Sequence, residues 1–149
     1  DKKTEAERAA LVDEYFEKVI ALIDSELFDI AAHLDLINRN PALRGFTTES
    51  HYRQVAEALA SSRTITELNA GRILKDYGEY HPSPSFLNIL QEYDISITIG
   101  TDSHTPGALA GRISHVADWF KEKKITPTEL SILNIFFQFG HFILCVSLA

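Results

Sequence analysis

The spacing of apolar and polar residues along the chain predicts alternating helices and strands. Over residues 4–27, apolar side chains recur every three or four positions with acids and lysines between them, which is the pattern of an amphipathic helix. Capping residues, the Ser83-Pro84 start and similar periodicity predict three further helices, at residues 49–61, 84–93 and 108–123. Short apolar or β-branched runs predict three strands between the helices, at residues 28–35, 63–70 and 95–100. Strand and helix alternate three times, as in a parallel sheet or a (β/α) barrel.

Polar side chains stand at the end of each predicted strand. Reactive groups of α/β folds lie at the C-terminal ends of the strands, and residues two apart on an extended segment point to the same side. Pairs with this spacing follow the strands in turn: His33 with Asp35, Glu67 with Asn69, and Asp102 with His104. Imidazole and carboxylate groups suit zinc, manganese or iron. The alternative interpretation is structural, since Asp102 could cap the next helix and His33 could be a core histidine bonded to a backbone carbonyl.

Three further residues are candidates for contact with a phosphate group. Arg39 and Arg72 could each form forked hydrogen bonds to phosphate oxygens, or be solvated surface arginines. His81 lies in a loop on the presumed active face, where a substrate contact and simple solvation are both open. The sequence contains no glycine-rich phosphate loop, nucleophile elbow or Cys–His pair. We expect the other histidines to be structural: His51, His115 and His141.

Composition and charge narrow the range of partners. The 149 residues are 45% hydrophobic and 23% charged, which is the make-up of one soluble globular unit. A net charge of -7 and a pI near 5.3 argue against nucleic acid as the main partner. The single cysteine, Cys145, forms neither an internal disulfide nor a thiolate metal site, so we expect a reducing, cytoplasmic location. Because the chain starts with neither Met nor an apolar leader, we expect an internal cut rather than a signal peptide.

The last 20 residues differ in composition from residues 1–129 and are treated as a separate tail. Residues 130–149 contain no Asp, Glu, Lys or Arg and are rich in Phe. Such a run is long enough to span a bilayer, but the polar residues in its middle make a membrane span the weaker interpretation. A buried packing segment is favoured, and a sequence unrelated to the parent fold is also open.

Four segments together resemble a known family. They are residues 28–35 (FDIAAHLD), 67–72 (ELNAGR), 80–84 (YHPSP) and 100–104 (GTDSH). In this order and spacing they resemble the polymerase and histidinol phosphatase (PHP) superfamily, and most closely its histidinol-phosphatase branch. The resemblance covers residues 28–124 and leaves out the tail. Its specificity lies in the combination, since each segment alone is common.

The resemblance implies a fold, an activity and a set of site residues. The implied fold is a distorted barrel of seven parallel strands with a metal cluster, usually of three ions, at its C-terminal mouth. The implied reaction is hydrolysis of L-histidinol phosphate to L-histidinol and phosphate, late in histidine biosynthesis. The matching positions make three residues metal ligands, namely His33, Asp102 and His104. The phosphate would be held by Arg39, Arg72 and the loop around His81.

The chain departs from the family pattern at its start. The N-terminal His-x-His and the central Glu of the family have no counterpart in this sequence. We therefore expect a partial (β/α) barrel, the C-terminal three β/α units of a PHP-type fold, whose partners are a small phosphate ester and the missing N-terminal half. Two alternatives stay open. One is the related domain attached to DNA polymerases, and the other is a non-catalytic remnant acting through protein contacts.

Overall fold

A computed structural model describes residues 3–70, 80–102, 106–128 and 144–145 of the chain. Within these ranges the helices are α1 (Glu5–Asp24), α2 (Glu49–Ala60), α3 (Pro84–Glu92) and α4 (Pro106–Lys123). The strands are β1 (Ile30–Ala32), β2 (Ile65–Asn69), β3 (Ile97–Gly100) and β4 (Leu144–Cys145). Two 3-10 turns, Leu36–Arg39 and Arg44–Phe46, connect β1 to α2.

The strands form one parallel sheet in the order β3-β2-β1-β4. Each of the first three strands is followed by a helix, so the predicted α/β class and the three strand-helix units are confirmed. Barrel closure stays a prediction, because the described strands form a sheet and not a closed barrel. The strand β4 belongs to the tail and pairs with Ala31 and Ala32 of β1. The other residues of 130–149 lie outside the described part of the chain.

The helices α1, α2 and α3 pack together into what we call the helical layer. In α1 the buried residues repeat at helical spacing and form one apolar stripe: Val12, Tyr15, Phe16, Val19 and Ile23. The Phe16 ring meets the Tyr52 ring of α2 edge-on at 6.0 Å, and Tyr52 stacks on Phe86 of α3 at 4.3 Å. Aromatic rings therefore link the three helices in sequence, and their burial together with that of the aliphatic residues stabilises this layer.

Local chemistry sets where the helices begin and end. The helix α1 starts at a capping box, in which Glu7 N donates to Thr4 Oγ1 at 3.2 Å and Thr4 N donates to Glu7 Oε2 at 2.7 Å. Pro84 occupies the first turn of α3, as predicted. Left-handed residues follow the ends of α1, α3 and α4, namely Glu26, Asp94 and Lys124. This conformation stops a helix, so α1 ends earlier than the predicted residue 27.

None of the described helices combines the length and the apolar composition needed to cross a bilayer.

Candidate functional site

The C-terminal ends of β1, β2 and β3 lie along one side of the sheet because the three strands are parallel neighbours. We call this side the carboxyl edge and define it by the polar residues that end or follow these strands: His33, Asp35, Glu67, Asn69 and Asp102. Neighbouring strands are about 4.8 Å apart, so the ends of β1 and β3 are separated by roughly 10 Å with β2 between them. The polar strand ends predicted from the sequence therefore share one side of the sheet.

His33 is held by the backbone immediately after β1. Its φ of 55° lies in the left-handed region, which ends the strand well before the predicted residue 35. The carbonyl of His33 accepts a hydrogen bond from Leu36 N at 2.9 Å and another from the Tyr15 hydroxyl of α1 at 3.2 Å. Burial raises the pKa of Tyr15, with the negative charge of Asp35 adding to the effect, so this hydroxyl stays protonated and able to donate. The helical layer thus anchors the first candidate ligand.

The side chains of His33, Glu67 and Asn69 form a buried polar cluster. Nδ1 of His33 lies 2.7 Å from Oε1 of Glu67, and the Asn69 amide donates to the same oxygen at 2.7 Å. The side chains of His33 and Glu67 are only 9% and 8% exposed. Close pairing is needed here because an uncompensated carboxylate is costly to bury.

A second histidine, His81, lies beside the end of β2 in the segment that leads into α3. Its backbone forms an antiparallel bridge with Asn69, with Asn69 N donating to His81 O at 2.7 Å. Its Nδ1 lies 2.8 Å from Oδ1 of Asp35, whose second oxygen accepts a hydrogen bond from Ser83 N at 2.8 Å. Asp35 is fully buried, and its two oxygens hold the segment that leads into α3.

Asp102 follows β3 in a strained conformation that α4 supports. Its φ of 46° lies in the left-handed region, at a cost of about 1–2 kcal/mol for a residue other than glycine. Arg112 of α4 donates through Nη1 to the carbonyls of Thr101 at 3.0 Å and Asp102 at 2.7 Å. Among the left-handed non-glycine residues of the described chain, His33 and Asp102 are the two that follow strands rather than helices.

A cleft of about 530 Å³ opens beside the carboxyl edge, between the 3-10 turns and helices α2 and α3. A chain of hydrogen bonds runs across it. Thr47 Oγ1 donates to Asn38 Oδ1 at 2.6 Å, the Asn38 amide donates to the Tyr52 hydroxyl at 2.9 Å, and that hydroxyl lies 3.3 Å from Ser83 Oγ. Burial raises the pKa of Tyr52, so the phenol is neutral. Asp35 and His81 also line the cleft, which joins it to the carboxyl edge.

The predicted site residues have different outcomes. His33, Asp102 and His81 lie at or next to the carboxyl edge, while His104 and Arg72 lie outside the described residues. Arg39 ends the first 3-10 turn and does not line the cleft, whereas Arg44 does. The roles in metal and phosphate binding stay predictions. Among the residues that the structure describes, no three His, Cys, Asp or Glu side chains are grouped so as to hold a metal ion.

Sequence reasoning overlooked the contacts made between segments distant in the chain. The pairing of Glu67 with His33 joins β2 to the end of β1, and Arg112 lies ten residues beyond Asp102 with no motif to mark it. The two-residue spacing of Glu67 and Asn69 was the sequence signal that could have pointed to the contact between Glu67 and His33. His51 has the structural role expected of it. Its Nδ1 accepts from Thr48 N at the start of α2, and its Nε2 lies 2.8 Å from Asp13.

No protein-family model matches the chain, and a search of curated proteins likewise finds no match.

Proposed function

We propose that this chain is part of a metal-dependent phosphomonoesterase of the histidinol-phosphatase kind and that it supplies the C-terminal three β/α units of a PHP-type barrel. The reaction would be hydrolysis of L-histidinol phosphate to L-histidinol and phosphate. The observation that carries the proposal is the concentration of buried polar side chains at the carboxyl edge. In parallel α/β folds this is the side of the sheet where ligands bind.

The distribution of buried polar residues favours a site over an ordinary core. Six polar or charged residues are buried in the described part of the chain: His33, Asp35, Thr64, Thr66, Glu67 and Asn69. The two threonines are satisfied by backbone carbonyls, to which their hydroxyls donate. The other four carry imidazole, carboxylate or amide groups, and all four belong to the carboxyl edge. Such groups are expensive to bury, and active sites are where proteins most often bury them.

The side chains at this edge are of types that commonly bind divalent metal ions. The imidazole of His33 and the carboxylate of Asp102 are ligands for zinc, manganese or iron, and His104 would be the third. When bound, such ions supply a water of lowered pKa and neutralise the charge on phosphate oxygens. The described residues provide only part of a ligand set. A multinuclear site would need further donors, which in the resembled family come from strands that precede this segment.

The cleft beside the edge provides room for the alcohol part of a phosphate ester. Its walls combine apolar surface with hydroxyl, amide and carboxylate groups, which could form hydrogen bonds to a polar alcohol. The acids Glu49 and Glu92 stand at its rim, each paired with Arg53 at 2.8 and 2.9 Å.

The proposal is tested by metal titration of the chain with manganese and zinc. Replacing Asp102 by Asn leaves a neutral amide, a poorer ligand for a divalent cation, so we expect the Asp102→Asn variant to bind metal more weakly than the parent chain. Asp118→Asn, an exposed change on α4, is the matched control. Equal metal affinity in the Asp102→Asn variant and the control would overturn the proposal. We expect little phosphate release from histidinol phosphate by the chain alone, because its described ligand set is partial.

The arginine roles are tested with inorganic phosphate and the metal-loaded chain. Arg72→Lys keeps the charge but loses the planar fork, so we expect weaker phosphate binding. Arg63→Lys is the control, since the Arg63 guanidinium donates to the Glu26 carbonyl at 2.7 Å, at the opposite end of β2. Equal phosphate affinity in the two variants would assign Arg72 to the solvated surface.

A second candidate function is a non-catalytic domain that acts through protein contacts. The observation that favours it is the lack, within the described ranges, of any three side chains grouped to hold a metal. The same titration separates the two candidates. A chain that binds neither manganese nor zinc, while remaining folded, would support the non-catalytic domain.

A further inference from the structure

Glu67 lies where a side chain on β3 would otherwise be. Glu67 and Thr98 are register partners, and two residues further along β3 is Gly100, opposite Asn69. A Cβ placed on Gly100 would overlap Oε2 of the Glu67 carboxylate and crowd its Cδ. The carboxylate therefore occupies the volume that the missing side chain leaves open, and it rests against the backbone of β3.

The Glu67 carboxylate has little freedom to leave this position. Its residue is 6% exposed, and Oε1 is engaged by two partners, the His33 ring and the Asn69 amide, at 2.7 Å each. The tip of a glutamate on a surface could swing away from an added methyl group at little cost. Here such a movement would break two hydrogen bonds in a buried cluster, so glycine at residue 100 and the position of Glu67 depend on each other.

The geometry also selects one tautomer of His33. Its Nδ1 lies 2.7 Å from a carboxylate oxygen and 3.1 Å from the Asn69 amide nitrogen. If Nδ1 carried a lone pair, that lone pair would point at an oxygen that accepts and cannot donate when ionised. With the proton on Nδ1, the ring donates to Glu67 and the amide donates to the same oxygen. The proton therefore belongs on Nδ1, and the lone pair of the neutral ring is on Nε2.

These observations assign a role to Glu67 and Gly100, to which the sequence analysis gave no specific function. We infer that Glu67, seated in the space left by Gly100, is a positioning residue that fixes His33 as the Nδ1–H tautomer and so makes Nε2 its ligating nitrogen. A carboxylate bonded to the second ring nitrogen is the usual support of a metal-binding histidine, because it sets ring orientation and raises ligand basicity. The inference about the ligating nitrogen rests on the proposed function, whereas the tautomer does not.

The experiment uses the 149-residue chain labelled with ¹⁵N in its histidines. In the parent chain we expect the neutral ring of His33 to show a protonated Nδ1 and an unprotonated Nε2. Gly100→Ala keeps the Glu67 carboxylate but displaces it, so we expect the two His33 nitrogens to become a mixture of tautomers. Gly45→Ala is the matched control, because a Cβ at that position meets nothing within 4 Å. A neutral ring with its proton on Nε2 in the parent chain, or an unchanged tautomer in Gly100→Ala, would overturn the inference.

Metal binding is measured on the same proteins and separates the inference from the proposed function. We expect Gly100→Ala and Glu67→Gln to weaken zinc binding about 10- to 100-fold, and Gly45→Ala to leave it unchanged. Glu67→Gln is nearly isosteric and retains an oxygen that accepts from Nδ1, so it should fold and keep the tautomer while losing basicity. If the Nδ1–H tautomer is found but the parent chain binds no zinc, the positioning of His33 stands and the proposed phosphatase function fails.

Discussion

The helical layer and the carboxyl edge are both buried, but different kinds of residue bury them. In the helical layer the contacts are between apolar and aromatic side chains, such as Phe16 against Tyr52 and Tyr52 against Phe86. At the carboxyl edge the contacts are directed hydrogen bonds between imidazole, carboxylate and amide groups, and two residues adopt left-handed backbone conformations. Apolar packing tolerates small shifts in position, whereas a buried hydrogen-bonded cluster fails when one partner is lost.

This difference matters for the proposed function, because the described residues proposed to bind metal, His33 and Asp102, both belong to the carboxyl edge. The helical layer supplies stability and holds His33 through the Tyr15 hydroxyl. At the carboxyl edge, strained residues and buried charges are destabilising and offset part of that stability. Substitutions that alter one region and leave the other intact therefore test whether the two regions depend on different kinds of contact.

The largest effect is expected in the helical layer. Phe16 is 1% exposed and its ring contacts Tyr15, His51 and Tyr52. We expect Phe16→Ala to lower the free energy of unfolding by about 3–5 kcal/mol, because it leaves a cavity where three rings meet. The measurement is urea denaturation followed by circular dichroism. Leu27→Ala, at a position 67% exposed, is the control. Similar losses in the two variants would show that α1 is not packed as described.

The second effect concerns a single buried carboxylate. Asp35 accepts hydrogen bonds on both oxygens, from His81 and from Ser83 N. Asparagine has the shape of aspartate but only one side-chain oxygen. In the Asp35→Asn variant the amide nitrogen would therefore face one of the two N–H donors. We expect a loss of about 1–3 kcal/mol in the free energy of unfolding, comparable with deleting a large apolar contact. Denaturation of the Asp35→Asn variant and of the control Asp118→Asn measures this loss. An equal midpoint in the two variants would mean that the hydrogen bonds of Asp35 contribute no more to stability than the exposed carboxylate of Asp118 does.

The sequence was a good guide to the helical layer and a partial guide to the carboxyl edge. Periodicity located α1 and α2 to within a few residues because burial of one helix face leaves a regular pattern. The strand after α1 was predicted over residues 28–35 but spans Ile30–Ala32, since the left-handed turn at His33 has no signature in residue type alone.

The partners of the site residues were the part that could not be predicted. Two-residue spacing placed Glu67 and Asn69 on one side of β2, but only the strand order β3-β2-β1 brings Glu67 against His33 and Gly100. Arg39 was predicted as a phosphate contact, whereas the cleft is lined by Arg44, which the sequence analysis did not single out. Local patterns report periodicity, and contacts between distant segments depend on how the elements pack.

A smaller effect is expected at the strained turn after β3. Arg112 donates through one nitrogen to two successive carbonyls and holds Asp102 in its left-handed conformation. A lysine has a shorter reach and lacks the planar guanidinium group. We therefore expect Arg112→Lys to lower the free energy of unfolding by about 0.5–1.5 kcal/mol. The specific readout is hydrogen exchange, which should speed up at the amides next to Asp102 and stay unchanged in α1. Uniform acceleration throughout the chain would instead indicate a global loss of stability.

The smallest effect concerns the exposed start of α1, where neither kind of burial applies. Hydrogen bonds from the Thr4 backbone N–H and from its hydroxyl lower the pKa of Glu7. A carboxyl group whose pKa is lowered by folding stabilises the protein above its unfolded pKa, and that stabilisation is lost as pH falls through the lowered folded value. We expect Glu7→Gln to be slightly less stable than the parent chain at neutral pH and the difference to shrink in acid. Thermal unfolding of both proteins over a series of pH values measures this difference. A gap that stays constant through the carboxyl range would show that the Glu7 charge does not contribute, and that α1 depends on its buried face alone.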